Sequence, residues 1–382
     1  MGSVYNIQRG VQTFGASADS DTSASFTAVD SLARSFGRLS CSLFAPTLNS
    51  SVAADRFNDD LGMGCQLTAV GTLTLNRLAA GTDEDMRAPW EIWEFPDSGN
   101  DEVQVRAHGS ATISAGNASA HVVIGSISNL AKCIPIICGI TNTGTTELWD
   151  AALVTALMQN SGGNGVTFQR GTTTGNTVVY YAVLEMVGSN WSVQNNVSHT
   201  FTGSGSDETE TISSVTWANT VIFPSYRTDS QNEDEVGFTI REGSSGTSVR
   251  FRRRSGATGT AVAIAHLASN ANLSMQRFDS ITGGGTAYAS GDSTVNHTIS
   301  SVATSRSFVI ATVDSAGTGA NYPREFWNHR LSSATNVEAY RARTGQAGDY
   351  AIQVGTFADL SGGGGSAIAP IARHYHQLRR AA

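Results

Sequence analysis

The sequence predicts an all-β fold of four tandem β-sandwich repeats, and three observations lead to this prediction. Gly, Ser and Thr make up roughly a third of the 382 residues, whereas the helix formers Leu, Glu and Lys are scarce. Short segments rich in Val, Ile, Thr and aromatic residues alternate with Gly, Ser, Asn and Asp turns about every 8–12 residues. A set of sequence landmarks also recurs in the same order four times.

The first landmark is an apolar residue followed by Gln, at Gln8, Gln104, Gln194 and Gln276. A short apolar segment ends about 21 to 26 residues later, and it reads Thr-Ile-Ser-Ser-Val in both of the last two copies. Each copy then has a strand that ends in Arg, a Gly-containing loop and a final apolar strand. The arginines of this landmark include Arg77, Arg170, Arg252 to Arg254 and Arg341.

Units of this size and turn spacing are typical of an immunoglobulin-like or related two-sheet sandwich. The predicted repeats are residues 1–98, 99–190, 191–271 and 272–360, followed by a Gly linker and a C-terminal docking tail at 361–382. The joints between repeats are very short, which predicts a semi-rigid curved or compact array.

One segment departs from the β pattern. Residues 146–158 carry Leu148, Ala151, Ala152, Thr155 and Ala156 at helical spacing. We therefore expect one short helix there, as an insertion in the second repeat.

Charge and motifs narrow the function classes. The net charge is −8, which makes nucleic acid a poor default partner, and neither a membrane-spanning apolar run nor a signal segment is found. The nucleophile-elbow, metalloprotease, phosphate-loop and dinucleotide motifs are missing, as are paired Cys or His spacings for zinc. We expect a non-enzymatic protein without a cofactor or a bound metal.

Cysteines and acidic clusters add little chemistry. Cys133 and Cys138 lie too far apart along one apolar strand to bond easily and are expected to be buried, whereas Cys41 and Cys65 are left open as a pair. Acidic clusters occur at 59–60, 83–85, 207–210 and 233–235, and solvated loops explain them all. The densest cluster, 233–235, is the first candidate for a cation.

Arginine is the more informative charge, because the chain has 23 Arg and a single Lys, Lys132. On one strand, period-two alternation places Arg250, Arg252 and Arg254 on the face opposite Val249 and Phe251. Guanidinium groups at this spacing repel one another unless anions compensate. Their partners are either carboxylates of the same unit or a neighbour, or an anionic ligand such as an acidic surface glycan.

The segment after residue 360 forms a candidate anchor. It follows a Gly-rich stretch and carries positive charge on an acidic chain, so we expect it to dock on another subunit or a partner protein. Its interaction residues are Ile368, Ile371, Arg373, Tyr375, Leu378, Arg379 and Arg380. The pair His374 and His376 alone makes a poor metal site.

With its Gly/Ser/Thr-rich composition, repeated Gln-led strand and Arg-Gly hairpin, the chain resembles bacteriophage virion proteins built from tandem immunoglobulin-like sandwiches. The resemblance implies a structural, tail-associated role in particle assembly, with attachment to the host surface as a further expectation. It implies self-association, contacts with other virion proteins, a bacterial surface glycan as a further partner, and location in the virion.

Three alternatives stay open. A head-decoration protein that clamps the capsid would have the same sequence features. A free carbohydrate-binding adhesin predicts exposed tryptophans on one sheet face, and the candidates are Trp90, Trp93, Trp191, Trp217 and Trp327, each of which also suits a sandwich core. A depolymerase is the third class.

Overall fold

A computed structural model describes most of the chain. The described residues are 5–14, 22–40, 47–48, 62–77, 86–143, 151, 153–202, 207–229, 237–253, 259–281, 285–315, 327–341, 344 and 347–360. The elements assigned in these ranges are antiparallel β-strands and three-residue 3-10 turns, and one described residue, Ala151, is helical. The all-β class is therefore confirmed.

The strands fall into four consecutive groups, here called units 1 to 4. Unit 1 contains β1 (Asn6–Phe14), β2 (Thr22–Ala24), β3 (Ser35–Leu39), β4 (Thr47–Leu48), β5 (Met63–Ala69), β6 (Thr72–Arg77) and β7 (Met86–Glu94). Unit 2 contains β8 (Val103–Ile113), β9 (Ser119–Val123), β10 (Cys133–Thr143), β11 (Thr155–Asn160), β12 (Asn164–Gln169) and β13 (Asn176–Met186).

Units 3 and 4 continue the series. Unit 3 contains β14 (Trp191–Thr202), β15 (Asp207–Thr211), β16 (Thr220–Thr228), β17 (Phe238–Glu242), β18 (Ser248–Arg253) and β19 (Thr260–Asn270). Unit 4 contains β20 (Leu273–Asp279), β21 (Thr294–Thr298), β22 (Ser307–Ser315), β23 (Asn328–Ser333), β24 (Asn336–Tyr340) and β25 (Gly348–Phe357). The predicted repeat boundaries fall between these groups.

One strand order recurs in the four units when the two-residue β4 is left aside. An inner sheet joins the first, sixth and third strands of a unit, as β1-β7-β3, β8-β13-β10, β14-β19-β16 and β20-β25-β22. An outer sheet joins the second, fifth and fourth strands, as β2-β6-β5, β9-β12-β11, β15-β18-β17 and β21-β24-β23. In each unit the first strand therefore lies at the edge of the inner sheet, beside the sixth strand.

Each inner sheet is buried on both faces. On β13, Val179 and Tyr181 pack into the core of unit 2, whereas the alternate residues Tyr180, Ala182 and Leu184 pack into a second core shared by all four units. This explains why the sixth strand of a unit reads as a nearly continuous apolar run.

Trp93 of unit 1 lies in the shared core. Its ring centroid is 4.4 Å from that of Phe308 in unit 4 and 6.3 Å from that of Phe223 in unit 3. Leu184 contributes to the same core from unit 2. The units are therefore held by a common apolar centre as well as by the chain that joins them.

Neighbouring units also repeat one polar contact, in which the first strand of a unit donates to the backbone around the 3-10 turn of the unit before it. Asn195 donates to Leu130 O at 3.0 Å and so joins unit 3 to unit 2. Arg277 donates to Thr220 O and joins unit 4 to unit 3. Arg9 donates to Ser307 O, which joins unit 1 to unit 4.

A second contact runs between the fourth strand of one unit and the third strand of the next. Ala156 N donates to Ser225 Oγ at 3.2 Å between units 2 and 3, and Ile240 N donates to Thr312 Oγ1 at 3.1 Å between units 3 and 4. Between units 4 and 1, Ser40 Oγ donates to His329 O at 2.5 Å.

Units 1 and 2 meet through a direct pairing of β5 with β10, at Met63 and Ile140. Each unit thus contacts the next, and the fourth contacts the first. The four units form a closed ring, which is a compact arrangement and differs from an extended string of modules.

At the predicted helix, Ala151 is helical, but the prediction is wrong from residue 155 onward. Residues 155–160 form β11, which pairs antiparallel with β12 and alternates so that Ala156 and Met158 enter the core of unit 2. Strand pairing and burial override the helical preference of Ala and Leu at this site. Residues 144–150 and 152 lie outside the described residues.

Candidate functional site

The arginine ladder lies on β18, in the outer sheet of unit 3. Arg250 and Arg252 are half-buried on one face, and Val249 and Phe251 are fully buried on the other, as the alternation predicts. Arg254 lies outside the described residues. The structure therefore brings two of the three ladder residues to one face.

Carboxylates of the chain itself pair with both arginines. Asp207, from the acidic cluster at 207–210, accepts from Arg250 at 2.6 Å and from both terminal nitrogens of Arg241 at 3.0 and 2.6 Å. Arg252 reaches into unit 4, where its Nη2 lies 2.8 Å from Asp349 Oδ2 and its Nε lies 3.5 Å from Asp314 Oδ2. These contacts correspond to the intramolecular alternative, and the ladder helps to hold units 3 and 4 together.

The buried arginines of the repeat landmark differ from those of the ladder, because they bind backbone carbonyl groups. Arg170, Arg253 and Arg341 lie at the ends of the fifth strands and are fully buried. The guanidinium of Arg170 donates to carbonyl oxygens of the loops on either side at 2.9 to 3.1 Å. Arg341 donates to Asp292 O at 2.7 Å and lies over the ring of Trp327. These side chains fix loop backbones that water cannot reach.

A row of charges closes the ring between units 1 and 4. Arg9, Glu91 and Arg38 face one another across β1, β7 and β3. The buried Glu91 carboxylate accepts from Arg38 Nε at 3.2 Å, while Arg9 and Arg38 donate to the carbonyls of Ser307 and Val309 on β22. Burial lowers the pKa of Arg9, and the Glu91 charge partly offsets this. Glu91 thus compensates two cations that clamp the backbone of unit 4.

The three joints between units meet at Asp101, which lies in the first joint and is 6% exposed. Its Oδ1 accepts from the amides of Asn190 at 3.3 Å and Asn270 at 2.9 Å, and its Oδ2 accepts from Asn272 at 2.8 Å. One carboxylate therefore links the second and third joints to the first. Burial, and then the charge of Asp101, raise the pKa of the nearby Tyr5 hydroxyl.

A buried polar network lies in unit 4. The Tyr288 hydroxyl is 3.0 Å from His297 Nε2 and 2.9 Å from His329 Nε2. Burial lowers the pKa of His329 to about 3, lowers that of His297 and raises that of Tyr288. Between two neutral imidazoles the hydroxyl donates to one and accepts from the other, so the network links β21 to β23 and leaves each group in its neutral form.

The end of the ring where the joints meet carries two adjoining grooves. One, of about 720 Å³, lies between units 1 and 2, and the other, of about 580 Å³, lies between units 1 and 4. Asp30 and Arg34 line both grooves, and Arg34 Nη2 donates to Asp30 Oδ2 at 2.8 Å. The grooves therefore share a wall at the 3-10 turn Leu32–Arg34.

The tryptophans considered as sugar platforms lie mostly in cores. Trp90, Trp93, Trp191 and Trp327 are each at most 5% exposed. Trp217 is half-buried, with the Arg277 guanidinium 5.4 Å above its ring. Large inward side chains are what a sandwich core needs, and they account for these positions.

Two cysteines behave as the sequence predicts. Cys133 and Cys138 are buried free thiols, and burial raises the pKa of each to about 12, so neither is poised as a nucleophile. Cys65 is also buried, whereas Cys41 lies outside the described residues.

The anchor residues Ile368, Ile371, Arg373, Tyr375, Leu378, Arg379 and Arg380 all lie outside the described residues. So do His374, His376 and the acidic clusters at 59–60, 83–85 and 233–235. In the part of the chain that the structure describes, no three His, Cys, Asp or Glu side chains are grouped so that they could hold a metal ion. The same part contains no helix with the length and apolarity needed to span a membrane.

Sequence reasoning missed Asp101 and the row Arg9, Glu91 and Arg38. The sequence does contain a signal for the Asp101 contacts, because each predicted joint contains an Asn, namely Asn100, Asn190 and Asn270. Nothing in the local pattern indicates that β1 and β3 meet the last unit, so the role of the charged row depends on ring closure.

The chain was also compared with known proteins. No family model, no curated protein and no solved structure matches it.

Proposed function

We propose that this chain is a non-enzymatic structural protein of a bacteriophage particle, tail-associated, which acts in particle assembly and contributes to host-surface attachment. The single observation that carries the proposal is the closed ring. Charged and polar side chains such as Arg9, Arg38, Asp101 and Arg252 form bonds between units, which is what a rigid building block requires.

Within this proposal, the four units are copies of one immunoglobulin-like sandwich module. Their shared strand order, the 3-10 turn before each third strand and, in units 2 to 4, the buried arginine at the end of the fifth strand support this interpretation. Virion proteins resembling this chain use such modules because sheet faces and strand edges offer large surfaces for assembly.

The described surface suits contact through polar groups and strand edges. Among the described residues, the large apolar side chains that are exposed are Val70 and Val123, which lie in different units. Within the described ranges, strands β9, β15 and β21 each pair on one side only, so their other edges present backbone donors and acceptors. We propose that neighbouring virion proteins bind there.

The basic segment 361–382 is the proposed assembly arm. It follows Leu360, which packs against the shared core at the end of the ring where the joints meet. The arm has three arginines and no carboxylate side chain, whereas the whole chain has a net charge of −8. Its charge therefore favours an acidic surface as its docking partner.

Electron cryomicroscopy of purified particles tests the proposal. We expect density for a four-unit ring in the tail. Density on the capsid shell would support the head-decoration alternative, and particles without the chain would overturn the proposal.

Sizing the purified chain with and without residues 361–382 tests the arm separately. We expect the full chain to self-associate and the truncated chain to be smaller. Identical monomers in both cases would contradict the assembly role of the arm.

A further inference from the structure

The two adjoining grooves at the joint end of the ring, defined above and here together called the junction groove, lie on either side of Arg34. Its walls come from units 1, 2 and 4. With about 720 and 580 Å³ on the two sides, the junction groove has the capacity of an extended ligand site.

The most exposed charged groups at the rim of the junction groove are acidic, whereas Arg106 on the unit 2 side is only 19% exposed. The side chains of Asp30, Asp97 and Asp359 are 72%, 47% and 59% exposed. By contrast, the side chains of Arg34 and Arg306, which pair with these carboxylates, are only 10% and 19% exposed. An incoming chain therefore meets carboxylates first, and a cationic occupant is favoured.

The position of the last described residues indicates which positively charged segment lies nearest to the junction groove. Asp359 lines the junction groove, and the chain continues from Leu360 into the Gly-rich residues 361–366. Asp359 and Arg34 line the same groove, and six residues span up to roughly 20 Å when extended. Such a short tether gives the residues beyond it a high effective concentration at the junction groove.

We propose that residues 367–382 of this chain occupy the junction groove, with Arg373, Arg379 and Arg380 against the rim carboxylates. This deepens the proposed function, on which it rests for the meaning of the arm, by naming the surface that receives it. The docking is electrostatic, so it weakens as salt is added.

The test uses a fluorescent synthetic peptide of residues 367–382 and the chain truncated after Leu360, with binding followed by fluorescence anisotropy. We expect saturable binding at 50 mM salt and a loss of at least fivefold in affinity at 500 mM. The double variant Asp30→Asn and Asp97→Asn is expected to weaken binding at least tenfold. Asp30 and Asp97 are 72% and 47% exposed, and Glu94 still faces Arg34 at 3.5 Å, so we expect the fold to be preserved.

A matched control is Asp229→Asn. Asp229 is exposed and directly follows the last residue of β16, and we expect this variant to bind the peptide like the unmodified truncated chain. A peptide with the three arginines replaced by Gln should not bind. No saturable binding, or equal binding by the Asp30/Asp97 double variant, would overturn the proposal.

Cross-linking of full-length chains, with one population isotopically labelled, separates the two claims. Cross-links between the segment and the junction groove of a second copy support both the docking and the assembly role. Cross-links within one chain support the docking and contradict the assembly role, and cross-links at neither place overturn the docking.

Discussion

The side-chain amide of Gln8 pairs with the backbone of Thr27. Gln8 Nε2 donates to Thr27 O at 2.7 Å, and Thr27 N donates to Gln8 Oε1 at 2.8 Å. These two hydrogen bonds between the side-chain amide and the backbone tie the first strand of unit 1 to the segment before its 3-10 turn.

Two more units repeat this pair. Gln194 pairs with Ser213 and Gln276 with Ser300, at 2.7 to 3.0 Å. The recurring Gln and the apolar segment that follows it in sequence are therefore two sides of one contact.

The Gln pairs can be tested by replacement with Ala. Gln8→Ala and Gln194→Ala each remove two hydrogen bonds to the backbone, and we expect each to lower the free energy of unfolding by about 1 kcal/mol. Gln104, which donates to Glu102 instead, is the control, and Gln104→Ala should change the free energy by less than about 0.5 kcal/mol. Urea unfolding measures both values, and equal losses at Gln8 and Gln104 would contradict the assignment.

Asp101 should be the most sensitive residue of the joints. Asp101→Ala leaves three Asn amides without their acceptor in a buried site, and we expect a loss of about 3 kcal/mol in unfolding free energy. Asp97→Ala removes a half-exposed carboxylate from the same joint and should cost less than about 1 kcal/mol. Denaturant titration of the two variants checks this, and a comparable loss for both would show that the joints do not depend on Asp101.

The buried arginines should matter more than the exposed ones. Arg170→Met removes a set of buried bonds to loop carbonyls, and the expected cost is about 3 kcal/mol or more. Arg330→Met removes a partly exposed pair with Glu338 and should cost at most about 1 kcal/mol. Thermal and urea unfolding of both variants provide the comparison. Indistinguishable stabilities would rule out a loop-fixing role for Arg170.

Stability should fall in mild acid because of His266. The ring is fully buried between units 2 and 3, where Asn196 N donates to Nδ1 and Nε2 faces Ala156 O at 2.9 Å. Burial lowers its pKa to about 4, from 6.5 in the unfolded chain. The unfolded state therefore binds more protons, so the stability present above pH 6.5 is lost progressively as the pH falls towards 4.

The His266→Gln variant isolates this effect. Between pH 7.5 and 5.0 we expect the unmodified chain to lose about 2 kcal/mol more unfolding free energy than His266→Gln, because the variant has no proton to bind at this site. Unfolding free energies at both pH values give the difference. The same pH dependence in both proteins would contradict a buried neutral His266.

The local rules of the chain could be read from the sequence because they are short in range. The alternation of residues along the strand predicted that Arg250 and Arg252 lie on one face, and the composition predicted that the chain forms β-strands. Repeated landmarks indicated four units with short joints. In unit 2, however, the position equivalent to Gln8 is held by Arg106 and not by Gln104. Arg106 lies 18 residues before Ile124, just as Gln8 lies 18 residues before Phe26. Arg106 bonds Glu185 at 2.5 Å in place of a Gln pair.

The long-range arrangement could not be read in the same way. Ring closure depends on Arg9 and Arg38 meeting β22, almost 300 residues later, and no local period encodes such a contact. The helical pattern near Ala156 was misleading for a related reason, because pairing with β12 decides the conformation there.

Small-angle X-ray scattering of the chain truncated after Leu360 tests ring closure most directly. A compact body of this size has a radius of gyration of about 21 Å, and the closed ring predicts a value near it with a single-peaked distance distribution. A much larger radius, with separate maxima at the spacing of successive modules, would show that units 1 and 4 do not meet.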